Sequence, residues 1–262
     1  MPSWFVCKKA LILGAFLFLL LPVTVSAIEQ DCKADRIDEY AVVKKIYDGD
    51  TLRLSDNRKV RFIGVNTPEL AHDEKLAEPL AEAAKRKLQN LISAGSHVGL
   101  RYDIQRKDRH RRTLAHVFRK DGLNVTAELI KRGYGFAIVV PPNNWQMDCY
   151  FQVEQEARNN KRGVWSHSYF KPRNTNELSD DMRGFMLVKG IVTRIGKGKK
   201  KIWLDMGKRF SIKLHRNNMH YFEFIPIDTI QGKQITIRGW VRYYNKKLRI
   251  SLRHPRMLEI ME

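Results

Sequence analysis

Cysteine is scarce in this 262-residue chain, with three residues in all, so a disulfide-dense scaffold is excluded. No apolar run after residue 27 is long enough to cross a membrane, which excludes a protein of several transmembrane helices. Acidic residues are few beside basic ones: 28 Asp and Glu stand against 48 Lys and Arg, for a net charge of +20. That excess calls for a polyanionic partner, either nucleic acid or an anionic membrane surface. The eight histidines form no ligand spacing, and His215 and His220 lie five apart. A histidine-based metal centre is therefore not expected.

The N-terminus carries a targeting pattern. Lys8 and Lys9 precede an apolar segment over 10–21, and Val25-Ser26-Ala27 places small residues at a cleavage position. Residues 1–27 are expected to be a signal peptide that exports the chain to the periplasm or beyond. An uncleaved anchor is the alternative. No cysteine follows the apolar segment, which argues against a lipoprotein. Signal removal would take Cys7 and leave no stable membrane span. Cys32 and Cys149 would then remain in an oxidising compartment, as a disulfide or as two buried thiols.

Residues 28–37 are polar and are expected to form an arm. Strand patterns follow over 41–47, 51–54 and 59–65, then a helix over 80–92 ended by Gly95. Strands over 98–102 and 113–118 precede helices over 125–132 and 150–160. Asn124 opens the first of these as a cap, although Asn124-Val125-Thr126 also matches a glycosylation sequon. This order predicts an α+β domain on a small barrel over 38–167. Residues 168–181 are polar and read as a linker. Over 182–262, strands at 185–195, 200–206, 209–214, 234–241 and 247–252, with a short helix at 217–224, give the order of an all-β OB-like barrel. Trp203 and Trp240 alternate with apolar neighbours and are expected in its core. From residue 181 on, 19 basic residues face 6 acidic ones, a balance of +13; residues 28–180 carry 27 against 22, or +5. The second domain thus holds most of the positive field.

The chemistry concentrates in residues 47–69. Asp48-Gly49-Asp50 is a hairpin-turn signal, yet residues two apart in an extended chain also face the same side. Paired carboxylates suit a hard cation such as Ca²⁺. The strand that begins near Arg61 ends at Asn66-Thr67-Pro68-Glu69, and a hairpin returns this end toward Asp50. One site could then combine a metal, an arginine for phosphate and a glutamate to activate water. The run Arg106-Lys107-Asp108-Arg109-His110-Arg111-Arg112 can add a second arginine, or can be a solvated loop.

Three motifs in order resemble the staphylococcal nuclease family: Asp48-Gly49-Asp50-Thr51, Val60-Arg61-Phe62-Ile63-Gly64-Val65-Asn66-Thr67-Pro68-Glu69 and Asp108-Arg109-His110-Arg111-Arg112-Thr113-Leu114-Ala115. Pro142-Asn143-Asn144 and Gly163-Val164-Trp165-Ser166 continue the likeness across roughly 38–167. The resemblance implies an OB-type five-stranded barrel with three helices and a Ca²⁺-dependent phosphodiesterase acting on DNA and RNA. It implies that Asp50, the Asn66 side chain and the Thr67 carbonyl hold the metal, with Asp48 beside them. Glu69 would then activate or position water, and Arg61 and Arg112 would hold the scissile phosphate.

Some positions depart from the family. Asn66 stands where the family usually has a second metal-binding aspartate, so a charge is lost and the preferred cation could be another divalent ion. Arg111 replaces a glycine. Ile138 and Val140 stand where the staphylococcal enzyme has two tyrosines, which leaves Trp145 and Tyr134 as candidate stacking planes. In the second domain, Lys197, Lys199, Lys200 and Lys201 lie in one predicted inter-strand loop, and Tyr243, Tyr244, Lys246 and Lys247 in another. These loops are expected to bind nucleic acid, with solvated hairpin tips as the alternative. The expectation is an exported nuclease, favoured as a monomer, whose basic domain aids substrate binding. Its rival is a weak or inactive nuclease fold that only binds nucleic acid.

Overall fold

The structure is a computed structural model that describes Met1, residues 32–73 and residues 75–261. The expected signal peptide beyond Met1, with Cys7, and the start of the arm lie outside the described residues.

Five strands close a barrel in the order β1-β2-β3-β6-β5. They are β1 Glu39–Ile46, β2 Thr51–Leu54, β3 Lys59–Phe62, β5 His97–Arg101 and β6 Thr113–Arg119. β3 and β6 run parallel, and β1 pairs with both β2 and β5. Alternation sends Leu52, Leu54, Val60, Phe62, Leu100 and Val117 inward, all buried. α1 Ala81–Leu91, α2 Val125–Lys131 and α3 Met147–Asn159 cover the barrel. α1 buries Ala81, Ala84 and Leu88 along one stripe. The Asn124 side chain accepts from the Ala127 N–H at the start of α2 and donates to the Cys32 carbonyl. Asn124 is 2 % exposed, so capping is its role. Cys32 and Cys149 form a disulfide across a Cα–Cα distance of 5.7 Å, tying the arm to α3.

The strand expected over 59–65 is broken. Gly64 has φ +88°, and a Cβ there would lie 2.4 Å from the Tyr150 ring. The chain turns at this glycine, and β4 Val65–Asn66 pairs instead with β7 Phe136–Ala137. This detour carries Asn66 and Thr67 away from the barrel wall and toward the turn between β1 and β2.

The second sheet is a curled half-barrel of β8 Arg173–Asn174, β9 Gly184–Ile191, β10 Arg194–Lys197, β11 Lys201–Met206, β12 Phe210–His215, β13 Gln234–Tyr244, β14 Lys247–Leu252 and β15 Leu258–Ile260. The strand expected over 185–195 is two strands. The Val192 N–H bonds to Lys233, whereas the Thr193 N–H bonds to Asp205, so the chain passes from β13 to β11 at this corner. With β9 and β10 counted as one bent strand, the pairings follow the same order as the barrel, including a parallel β12–β14 contact. The helix expected at 217–224 is a 3-10 segment, Arg216–Phe222. The presumed linker is packed: β8 lies parallel to β9, and Leu178 is buried in the second core.

The two sheets share an interface. Ile138 is buried in the second core, with Val140 and Phe151 packed against it. Behind it, Arg238 of β13 places Nη1 2.7 Å from both carboxylate oxygens of Glu154 on α3. Both side chains are at most 3 % exposed. Arg238 also reaches Glu259, which in turn takes Arg158 of α3. No helix among the described residues is long and apolar enough to cross a membrane.

Candidate active site

The turn between β1 and β2 and the segment after β4 meet at Asp50. Asp50 is 5 % exposed, and its carboxylate is heavily used. One oxygen accepts from the Thr67 N–H at 2.9 Å and the Thr67 hydroxyl at 3.0 Å. Arg61 Nη1 stands 3.1 Å from the same oxygen. The other accepts from the Thr51 hydroxyl. Asp48 lies alongside and accepts from the Asp50 N–H. Gly49 makes this approach possible, because a Cβ there would fall 2.7 Å from Thr67 Oγ1 and 2.8 Å from Ala84.

Arg61 is fixed by the two carbonyls it donates to, Phe62 and Val65, and its other terminal nitrogen donates to Asn66 Oδ1 at 3.2 Å. Glu69 is anchored through its backbone N–H, which donates to Glu78. Burial raises the pKa of the Glu69 carboxyl; the Asp50 charge adds to this, and Arg61 opposes it. Burial and the Asp50 carboxylate push Asp48 up to about 7, while the Asp50 N–H and Arg61 pull the other way. The structure therefore brings Asp48, Asp50, Arg61, Asn66, Thr67 and Glu69 into one electrostatically coupled cluster.

Arg112 is arranged differently. It immediately precedes β6, whose parallel pairing to β3 places Arg61 opposite Leu114. Its Nε donates to Asp108 Oδ2 at 2.7 Å, and its N–H donates to Asp108 Oδ1. Asp108 thus collars Arg112 within its own loop. Arg111 takes φ +60°, so the arginine keeps a backbone conformation that glycine favours.

The staphylococcal nuclease homologue family matches residues 59–167. Thermonuclease from Staphylococcus intermedius is 32% identical over 130 residues, 48% of this chain and 76% of that protein. The chain belongs to the staphylococcal nuclease family. Endonuclease YncB of Bacillus subtilis (strain 168) is 35% identical over 126 residues, 46% of this chain and 59% of that protein. The SPbeta prophage-derived endonuclease YokF of the same strain is 33% identical over 135 residues, 49% of this chain and 45% of that protein. The chain thus spans about half the length of these two Bacillus relatives.

The donor set of this family member suits a hard cation. Asp50, Asp48, the Asn66 amide oxygen and the Thr67 carbonyl offer only oxygen. The repulsion that raises Asp48 toward protonation is what a cation would relieve. The set is poor in charge, since among the described residues no three His, Cys, Asp or Glu side chains are placed to hold a metal ion together.

The second-domain candidates separate. Lys197 pairs with Asp228 at 2.7 Å, and Lys199 and Lys200 are exposed in the β10–β11 turn. Tyr243 points its hydroxyl toward Asp180 beneath Arg183. Tyr244, 62% exposed, and Lys247 lie on the other side of the hairpin, and Lys246 is at its tip. Trp203 and Trp240 are not core residues: in register they share a face with Lys213 and Arg242 rather than with Ile202 and Val241. Trp145 is not free for stacking either, because Arg101 covers its ring at 4.0 Å and His116 meets its edge. Tyr134 packs against the first core. Asp108 and Glu78, which position Arg112 and Glu69, were missed in the sequence; the four-residue step from Asp108 to Arg112 was a usable signal.

Proposed function

We propose that the protein is an exported, divalent-metal-dependent nuclease that hydrolyses phosphodiester bonds of DNA or RNA, with its basic second sheet holding the substrate. The observation that carries this reading is the convergence of Asp50, Arg61, Asn66, Thr67 and Glu69 on one small volume. Arg61 would bind non-bridging phosphate oxygens through its planar fork. Glu69 would take a proton from water as the water attacks phosphorus and the bridging P–O bond breaks, the leaving sugar oxygen taking a proton from solvent, and its raised pKa makes it a better base for that task. Arg112, released from Asp108, would neutralise charge that develops on the phosphoryl oxygens. Ca²⁺ or another divalent ion, held by Asp50, Asn66 and the Thr67 carbonyl with Asp48 behind, would polarise the phosphoryl group when bound.

A binding-only protein would have no use for Glu69 held at the cluster by Glu78. Export rests on the N-terminal pattern of charge, apolar segment and small residues. The decisive assay is digestion of labelled single-stranded DNA and RNA by the purified protein with Ca²⁺, Mg²⁺ or Mn²⁺ and with chelator. Cutting that chelator abolishes is expected. Intact substrate under every ion overturns the proposal.

A further inference from the structure

The outer face of the second sheet is divided. Beside β9 it packs on the first domain through Arg238 and the Phe136–Phe185 contact. Across β11, β12, β14 and the end of β13 it is free, and the registers line up an unusual set of side chains there. Arg242 lies opposite Arg249, and Arg249 opposite Ser211. Trp203 lies opposite Lys213, and Tyr244 opposite Lys247. The Arg249 guanidinium sits 4.8 Å from the Trp203 ring and 5.1 Å from the Tyr244 ring. Its Nε is buried without a hydrogen-bond partner.

Charge on this face is uncompensated. Asp205 is the acidic side chain in these registers, and it is already engaged by Ser211, Arg194 and Lys247. Among the described residues no carboxylate pairs with Lys201, Lys213, Arg242 or Arg253. Burial, then repulsion from Lys201, Arg253, Arg242 and Arg249, holds Lys213 below the ordinary lysine range. Burial, then repulsion from Arg242 and Arg109, does the same for Arg253. Arg109 belongs to the loop that carries Arg112. The face thus comes within electrostatic reach of the loop that carries Arg112, where Asp108 already pairs with that arginine.

We propose that Lys201, Trp203, Lys213, Arg242, Tyr244 and Arg249 form a track for single-stranded nucleic acid that leads through Arg253 and Arg109 to Arg112. The inference rests on the nuclease reading and adds where the strand lies and in what form. Phosphates would replace the missing carboxylates. Unpaired bases would stack on Tyr244 and on the guanidinium plane that Trp203 supports. A duplex keeps its bases stacked inside and offers these planes nothing.

The test measures binding of a fluorescent single strand of about 20 nucleotides, long enough to pass beyond one site of this kind, in chelator, where no cutting occurs. Surface variants Tyr244→Ala and Arg242→Gln/Lys213→Gln are compared with the unmodified chain and checked for unchanged melting. Tyr244→Ala should weaken single-strand binding by about tenfold and leave duplex binding nearly unchanged. The double variant should lower the salt slope by roughly 1.4, the value for two lost phosphate contacts on a single strand. With metal restored, both variants should lose the rate advantage of long strands over fragments of about four nucleotides, the short end of such site sizes. Unchanged single-strand binding in both variants overturns the track, as does preferential capture by phosphatidylglycerol vesicles at equal salt. If the unmodified chain cuts nothing with any metal, the nuclease reading fails; the chelator binding data still decide the track.

Discussion

The two sheets follow the same pairing order yet carry opposite electrostatic designs. The first barrel gathers acids against one another: Asp48 beside Asp50, with Glu69 within their field. The second sheet gathers cations against one another, with Lys213 and Arg253 held below their ordinary range by burial and then by their neighbours. Each arrangement is costly alone, and under the proposed function each cost would be relieved by a charge from outside the protein: a metal ion in the first case, a polyanion in the second. On that reading one strand order would support two halves of a reaction, and the difference lies in which side chains the outward and turn positions carry.

The sharpest way to break this division is to change the barrel alone. Glu69→Gln should reduce strand cleavage by about a thousandfold while leaving the affinity for single strands in chelator unchanged. Gel digestion and anisotropy on one preparation measure both. A loss of binding equal to the loss of cutting would place substrate contact, not base catalysis, at Glu69. Next in size is the seam between the sheets. Arg238→Met removes the partner of buried Glu154 and leaves an uncompensated charge, which should cost about 3–5 kcal/mol. Thermal unfolding of this variant should show the second sheet melting apart from the barrel. A drop within about 1 kcal/mol would mean that apolar contacts such as Ile138 dominate the seam.

The carboxylate cluster was legible in the sequence because its members are near neighbours. Only the turn after Asp50 and the return of one strand are needed to join Asp50 to Thr67 and Glu69. The barrel was legible for a similar reason, since period-two alternation around Leu52, Leu54, Val60 and Phe62 needs no tertiary knowledge. Trp203 was misplaced because an aromatic residue among apolar ones gives the same pattern whether it faces in or out, and only the register with Ile202 and Leu204 decides. The seam was invisible: Arg238 and Glu154 lie 84 residues apart, and neither position carries a local signal. The Gly64 break could have been foreseen only from the ring of Tyr150, which packs where a Cβ would stand.

A smaller effect separates the sheets by pH. His254 is buried at the end of the second sheet against Tyr221, and its Nδ1 accepts from the Arg256 N–H. Burial pushes its pKa down to about 4; Arg256 adds to this and Asp148 opposes it. The unfolded chain takes up this proton near 6.5, the folded chain only near 4, so the unfolded state binds more protons between those values. Stability from this group is nearly complete above pH 6.5 and falls by about 3 kcal/mol as pH drops to 4. His254→Gln should flatten that part of the pH–stability curve in urea titrations. A curve unchanged by the substitution would assign the acid sensitivity elsewhere.

The smallest effect concerns Asn66, where the family resemblance leads one to expect an aspartate. Asn66 Oδ1 accepts from Arg61, and its Nδ2 faces the Thr67 carbonyl at 3.4 Å. Asn66→Asp turns a neutral oxygen into a charged one beside two other carboxylates. Ligand charge tunes divalent affinity, so calorimetric titration with Ca²⁺ should show binding tightened by about tenfold, or roughly 1.4 kcal/mol. The same carboxylate would also hold Arg61 more strongly and draw it from the phosphate. Turnover at saturating metal should therefore rise by less than the affinity does, or fall. Unchanged Ca²⁺ affinity would remove Asn66 from the ligand set and leave the barrel with Asp50, Thr67 and Asp48 alone to hold the ion.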